Sequence, residues 1–282
     1  MAKSIFEGKT ALITGGSSGI GLALAQMLAQ QGAHIWLLAR DPNRLEDACR
    51  QVSAAAAASH QQVQTIPGDV SSVDQLKSVL LPIIARGAPD FVFNCAGTTY
   101  PAYFTDVSLD IHRQNMEVNY FGTLNVINLV LPGMLARGSG HIINISSVAG
   151  YHGVLGYSAY SPSKFAVRGL SDVLYYELKP QGIKVSVVFP PDTETSGFEA
   201  ENKIKPPLVK VLSESNGKVL KPEDVARDIL RGVQRGNYLI TPGLDNFILY
   251  LANGLPWHLP YWIVELMIAD ARRKASKYET GQ

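Results

Sequence analysis

Along the chain, short runs of almost uninterrupted apolar residues alternate with longer stretches in which apolar positions recur at helical spacing. Seven runs have strand length: "TALIT" (10–14), "AHIWLLA" (33–39), "VQTIP" (63–67), "DFVFN" (90–94), "HIINIS" (141–146), "KVSVVF" (184–189) and "NYLIT" (237–241). Helix-like stretches lie near 19–31, 41–58, 72–86, 108–136, 160–180 and 222–235. Strands that are apolar on both faces and alternate with helices predict a parallel sheet covered on each side. The expected fold class is therefore α/β, one doubly wound domain over residues 1–242, with ligands at the carboxyl ends of its strands.

Three segments depart from that rhythm. Residues 54–58, "AAAAA", favour helix and are expected to finish a surface helix. Residues 190–221, rich in Pro, Ser, Glu and Lys, are expected to form a long substrate loop or lid. Residues 243–282 form an apolar C-terminal extension, with no Asp, Glu, Lys or Arg between Asn246 and Val264. Three readings of it stay open: a lid or subunit contact, a peripheral membrane contact through 243–277, or a spanning helix. The interruptions at Asn253, Gly254, Pro256, His258 and Pro260 weigh against the last.

Composition narrows the function classes. The 282 residues include 25 basic and 24 acidic ones, a net charge of +1, so nothing requires a nucleic-acid partner. Cys49 and Cys95, the two cysteines, sit in unlike contexts, and no disulfide framework is expected. The run "MAKSIFEGKTALIT" has no signal-like apolar core, which favours a cytoplasmic address, peripheral at a membrane surface if the tail makes that contact. His112, His141, His152 and His258 lack metal-ligand spacing, and no metal site is expected.

The first strand runs into "TGGSSGIG" (14–21), which also opens a helix. Gly15, Gly19 and Gly21 leave room for a pyrophosphate to approach the backbone, and the helix N-terminus supplies donors and partial positive charge. This gives the domain a Rossmann-like character. The second strand ends in "LLARD", where an NAD site of this fold commonly holds an acid for the ribose 2′-hydroxyl. Here Ala39 is followed by Arg40, with Arg44 one turn later; a guanidinium fork suits a 2′-phosphate, which favours NADPH. The alternative is that Arg40 is a solvated surface charge.

The stretch "YSAYSPSK" (157–164) places Tyr160 four residues before Lys164, on one helix face. Together with the glycine loop, "NCAG" (94–97) and "VNYFGTLNV" (118–126), in this order, it resembles the short-chain dehydrogenase/reductase family over roughly residues 8–242. The resemblance implies a serine thirteen residues before the catalytic tyrosine. That is Ser147 from Tyr160 but Asn144 from Tyr157, so Tyr160 is the proton-donor candidate and Tyr157 a pocket or packing residue. It also implies Asn119 as the holder of a water in the proton relay, completing a catalytic set of Asn119, Ser147, Tyr160 and Lys164. The implied cofactor contacts are the loop Gly15, Ser17, Ser18, Gly19, Ile20 and Gly21; Arg40 and Arg44; Asp69 and Val70 near adenine; Asn94, Ala96 and Gly97 near ribose; and Tyr160 and Lys164. Two departures stand out. Cys95 replaces the family's usual asparagine and is expected to be an inert thiol, and Pro191 replaces the usual glycine after Pro190, leaving Thr193 or Thr195 as candidate phosphate or carboxamide contacts.

In the chemistry so implied, a nicotinamide supplies hydride and the protein supplies the proton. Lys164, together with the positive nicotinamide of the oxidised cofactor, is expected to lower the tyrosine pKa from its usual value of about 10, and Ser147 to steady the oxygen on which charge develops. The loop "FPPDTETSGFEAENKIKPP" with "GKVLKPEDVARDILRG" further resembles the branch of the family that reduces the ketone of a long-chain sphingoid base with NADPH. A lipid-like ketone is then the expected substrate, and a homo-oligomer is expected by analogy. The alternatives are another apolar carbonyl, such as a steroid, retinoid or acyl-chain ketone, or a non-catalytic NADPH-binding scaffold.

Overall fold

The computed structural model describes residues 4–215, 219–254 and 265–274. Seven parallel strands form one sheet: β1 (Thr10–Thr14), β2 (His34–Ala39), β3 (Val63–Pro67), β4 (Phe91–Asn94), β5 (Gly140–Ile145), β6 (Ile183–Val188) and β7 (Leu239–Ile240). Their order across the sheet is β3-β2-β1-β4-β5-β6-β7. The winding direction reverses between β1 and β4, which opens a crevice at their carboxyl ends. Each strand coincides with an expected run, the central ones because burial on both faces leaves little choice of residue there.

Helices cover both faces. On one side α1 (Gly19–Gln30), α2 (Pro42–Ala54) and α9 (Pro222–Gln234) enclose a core containing Leu24, Leu28, Ile35, Leu37 and Ile229. On the other, α3 (Val73–Ile84), α5 (Gly122–Arg137) and α6 (Tyr160–Leu178) pack over Leu12, Val92, Val126, Ile142 and Val185. The helix Leu109–Arg137 is continuous: α4 (Leu109–Asn115) passes through a π-helical stretch, Met116–Phe121, into α5. By length and composition alone it would cross a bilayer, but Val126, Ile127, Val130 and Met134 bury it against the sheet as a core helix.

Two expectations need correction. The helix expected to run through 54–58 ends at Ala54. Beyond it the backbone turns to pair Ala57 N with Ala29 O, and the Gln61 amide donates to the Ala29 and Ala33 carbonyls, tying the segment to α1 instead. The expected loop at 190–221 also carries two helices, α7 (Ser196–Asn202) and α8 (Pro207–Ser215). Thr195 caps α7 by accepting from Phe198 N at 3.0 Å, and Pro207 opens α8 at the position where its missing N–H costs nothing. Both signals are short and sit amid polar residues.

The C-terminal extension begins as α10 (Leu244–Asn253), docked where β6 leaves the sheet. The Asn246 amide donates to Phe189 O, Tyr151 Oη donates to Asn246 Oδ1 at 2.7 Å, and the Tyr250 ring packs on Tyr151 and Phe189. The aromatic cluster Trp257, Tyr261 and Trp262, on which the membrane and lid readings turned, lies outside the described residues.

Candidate active site

A row of polar side chains crosses the sheet where β1, β4 and β5 end. Register places Thr14 beside Asn94 and Asn94 beside Asn144. Thr14 Oγ1 accepts from Ala96 N at 3.0 Å, Asn94 Nδ2 donates to Asn144 Oδ1 at 2.9 Å, and Asn144 Nδ2 donates to Ser171 Oγ at 2.9 Å. This buried relay fastens three strand ends to α6. The loop after β5 is tied to the same helix: Ser146 Oγ donates to Lys164 O at 2.9 Å, and Lys164 Nζ donates to Ile145 O at 2.9 Å. Gly150 makes the approach feasible, since a Cβ there would lie 2.1 Å from Ser146 Oγ and 2.9 Å from Lys164 O.

These ties bring Ser147, Tyr160 and Lys164 together. Lys164 Nζ lies 5.6 Å from the centre of the Tyr160 ring. Ser147 and Tyr160 share a hydrogen bond, while Ser147 Oγ also accepts from Ala149 N at 3.2 Å. Asn119, fully buried in the π-helical stretch, accepts from Thr98 N at 2.8 Å and donates to Thr98 O at 2.9 Å and Ser163 Oγ at 2.8 Å. Both its amide hydrogens are thus engaged. It pins the Gly97–Thr98 segment against α6, and a Cβ on Gly97 would meet Asn119 Oδ1 at 3.1 Å and Lys164 Nζ at 3.5 Å.

Burial governs the charges. It pulls Lys164 down to about 8, with Cys95 opposing, and it pushes the Tyr160 phenol above its ordinary value. The Ser147 hydrogen bond works against that rise, and the carboxylates of Glu201 and Asp192 add to it. Desolvation is the largest of these influences on the phenol, which is held in its protonated form. Cys95 is pushed up to about 12 by burial, which suits the inert thiol expected of it.

The crevice fits a dinucleotide. Gly15 and Gly19 have φ of +64° and +54°, and a Cβ on Gly21 would lie 2.4 Å from Gly15 O, so the turn depends on glycine. Ser18 precedes α1 without a side-chain cap, which leaves the first-turn amides at Gly19, Ile20 and Gly21 facing the crevice beside Ser17. Buried Asn94 Oδ1 has no hydrogen-bond partner among the described residues. At the β2 end, Arg40 and Arg44 are exposed, while Asp41 caps α2 by accepting from Asn43 N and Arg44 N. Both of these bonds are accepted by Oδ1 of that exposed carboxylate. Asp69 accepts from Ser71 N and Oγ, with buried Val70 beside it bordering α5 through Gly122.

The segment after β6 is arranged around Pro191 rather than disrupted by it. Pro190 O accepts from Val148 N at 3.2 Å, so it braces the residue following Ser147. Thr193 Oγ1 donates to Pro191 O, and Thr195 sits against Gly19 while capping α7. Arg44 Nη2 donates to Ser196 Oγ at 3.2 Å, linking the arginine side of the crevice to the lid. Sequence reasoning missed Ser146, Asn144 and Ser171, whose importance comes from register and helix contact, and the charged residues of the lid helix α7. Tyr157, left as a pocket or packing residue, is buried and hydrogen-bonds to Glu201 on that helix.

The family model described as short chain dehydrogenase matches residues 9–205. The 3-dehydrosphinganine reductase of Danio rerio is 41% identical, the match covering 86% of this chain and 74% of that protein. The 3-ketodihydrosphingosine reductase of Bos taurus is 37% identical over 86% and 73% of the two chains. Among solved structures, a short-chain dehydrogenase from Sphingobium yanoikuyae in complex with NADPH superposes with a TM-score of 0.76 at 26% identity, covering 86% of this chain and 91% of that one.

Replacing Gly150 by Ala tests how closely the β5 loop must approach α6. Overpacking there is expected to cost about 1–3 kcal/mol and to lower turnover by displacing Ser147. Denaturant titration alongside steady-state assay checks it, and a variant of wild-type stability and rate would show that the contact is dispensable.

Proposed function

Because the chain belongs to the short chain dehydrogenase family, we propose that it reduces the 3-keto group of a long-chain sphingoid base, 3-ketodihydrosphingosine, with NADPH. It is an oxidoreductase acting on a ketone/alcohol pair with a nicotinamide cofactor. The observation that carries the substrate is the likeness, over 86% of the chain, to reductases of that name in animals. Similar proteins named for the same reaction occur in Dictyostelium discoideum and Arabidopsis thaliana.

In this reading the bound cofactor supplies the hydride. Tyr160 gives its proton to the carbonyl oxygen, and the Ser147 hydroxyl holds that oxygen as charge grows on it. Lys164, charged below a pH of about 8, stabilises the phenolate left behind. Asn119 positions Gly97, Thr98 and Ser163 around the lysine. The amides of Gly19, Ile20 and Gly21, with Ser17 and Ser18, receive the pyrophosphate; Arg40 and Arg44 receive the 2′-phosphate; Asp69, Val70, Asn94, Ala96 and Gly97 line the nucleoside; and Pro190, Thr193 and Thr195 border the nicotinamide end. Each of these roles belongs to the proposal. NADPH is preferred over NADH because two exposed arginines stand at the end of β2, where the neighbouring Asp41 caps α2.

Two experiments test it. Purified protein with NADPH and 3-ketodihydrosphingosine in mixed micelles is expected to form dihydrosphingosine by mass detection, while Tyr160→Phe loses on the order of 10²–10⁴-fold in rate and still binds NADPH. A Tyr160→Phe protein as fast as wild type would remove the tyrosine from the mechanism. Arg40→Asp is expected to shift the kcat/KM ratio toward NADH; an unaltered ratio would place the 2′-phosphate elsewhere.

A further inference from the structure

Beside the reacting groups lies a chain of polar side chains that the reduction of a ketone does not itself require. The Tyr157 ring lies 6.0 Å from that of Tyr160, and its hydroxyl hydrogen-bonds to Glu201 on α7. Glu201 pairs with Lys205 Nζ at 3.0 Å; the lysine side chain is fully buried and the glutamate side chain 12% exposed. Lys205 Nζ also donates to Ser213 Oγ at 3.1 Å and sits 4.4 Å from the Phe198 ring centre. Ser213 Oγ in turn donates to Asp192 Oδ2 at 2.8 Å, the one side-chain partner of that carboxylate among the described residues. One lysine thus stands against two carboxylates: Glu201, which it pairs directly, and exposed Asp192, which it reaches through the Ser213 hydroxyl.

Glu201, its side chain 12% exposed, carries its charge close to Tyr160, and exposed Asp192 adds a carboxylate that no cation pairs directly among the described residues. The substrate proposed above, on which this inference rests, carries an ammonium on the carbon next to its ketone. We propose that the Glu201–Lys205–Ser213–Asp192 chain receives that ammonium, so that the lid selects 2-amino ketones over plain apolar ketones. An amine on the carbon next to the carbonyl reaches the Glu201 side of Tyr157 while the carbonyl oxygen faces Tyr160 and Ser147. Ammonium–carboxylate hydrogen bonds are among the stronger kinds, and a partly buried one discriminates well. A second consequence follows from the field at Tyr160. Glu201 and Asp192 both hold its proton on, and a bound ammonium would offset them, making the acid stronger when the correct substrate is present.

The test compares kcat/KM for 3-ketodihydrosphingosine and for the same chain with hydrogen in place of the amine. Wild type is expected to prefer the amine on the order of ten- to a hundredfold, the range for a hydrogen bond to a charged group. In Glu201→Gln or Asp192→Asn the ratio should fall toward one, through a higher KM for the amine. The double variant Glu201→Gln/Lys205→Met keeps the buried charge balanced and guards against simple misfolding. A ratio retained in all three variants, or equal loss for both ketones, would overturn the assignment and leave ketone reduction standing. Turnover of neither ketone by wild type would overturn both this inference and the reading beneath it.

Discussion

The structure turns on the burial of one lysine. Lys164 is 4% exposed, and its ammonium is held by a neutral backbone carbonyl, Ile145 O at 2.9 Å, with no carboxylate within 4 Å among the described residues. Desolvation on that scale is unfavourable for a cation and accounts for a proton affinity well below that of a free lysine. The fold tolerates it because everything around the lysine is over-determined. The β5 loop is bound back to α6 through Ser146, the strand ends are tied by Thr14, Asn94 and Asn144, and Asn119 clamps the Gly97–Thr98 segment from the π-helical stretch. A π-helical turn in a long helix is uncommon, and here it delivers a fully buried asparagine to the site.

That arrangement separates scaffold from selectivity. The parallel sheet and its crevice bring the glycine turn, Ser147, Tyr160 and Lys164 to one end of the strands. The segment after β6 faces the same crevice from above: Pro190 braces the loop of Ser147, Thr195 leans on Gly19, and Ser196 meets Arg44. This one segment therefore touches the glycine turn, the loop of Ser147 and, through Glu201, Tyr157. The tyrosine at 157 is the hinge of this arrangement, since it lies beside Tyr160 and reaches the lid at once.

How much of this could be read from the chain depended on the range of the interaction. Buried strands announce themselves, because the central runs need apolar residues on both faces. The glycine turn and the Tyr160–Lys164 pair were legible since each is local, and the thirteen-residue step to Ser147 resolved Tyr160 from Tyr157. The lid helices were hidden by their brevity: α7 spans Ser196–Asn202, too short for a hydrophobic period to emerge. Asn144, Ser171 and the Asp192–Lys205 network were illegible for a different reason. Their partners are set by strand register and lid placement, which no spacing along the chain encodes. The upward push of burial on Tyr160 is illegible for the same reason, since no local spacing encodes how deeply a side chain is covered.

The most direct measurement of the central claim is the pH profile of kcat/KM for ketone reduction, which reports groups on the free enzyme. With Lys164 charged below about 8 and neutral above it, and Tyr160 protonated throughout that range, the rate is expected to fall as pH rises through about 8. The same limb should be absent from Lys164→Arg, whatever its residual rate, because a guanidinium keeps its charge. A wild-type profile that stays flat to pH 10, or an identical limb in Lys164→Arg, would contradict the account.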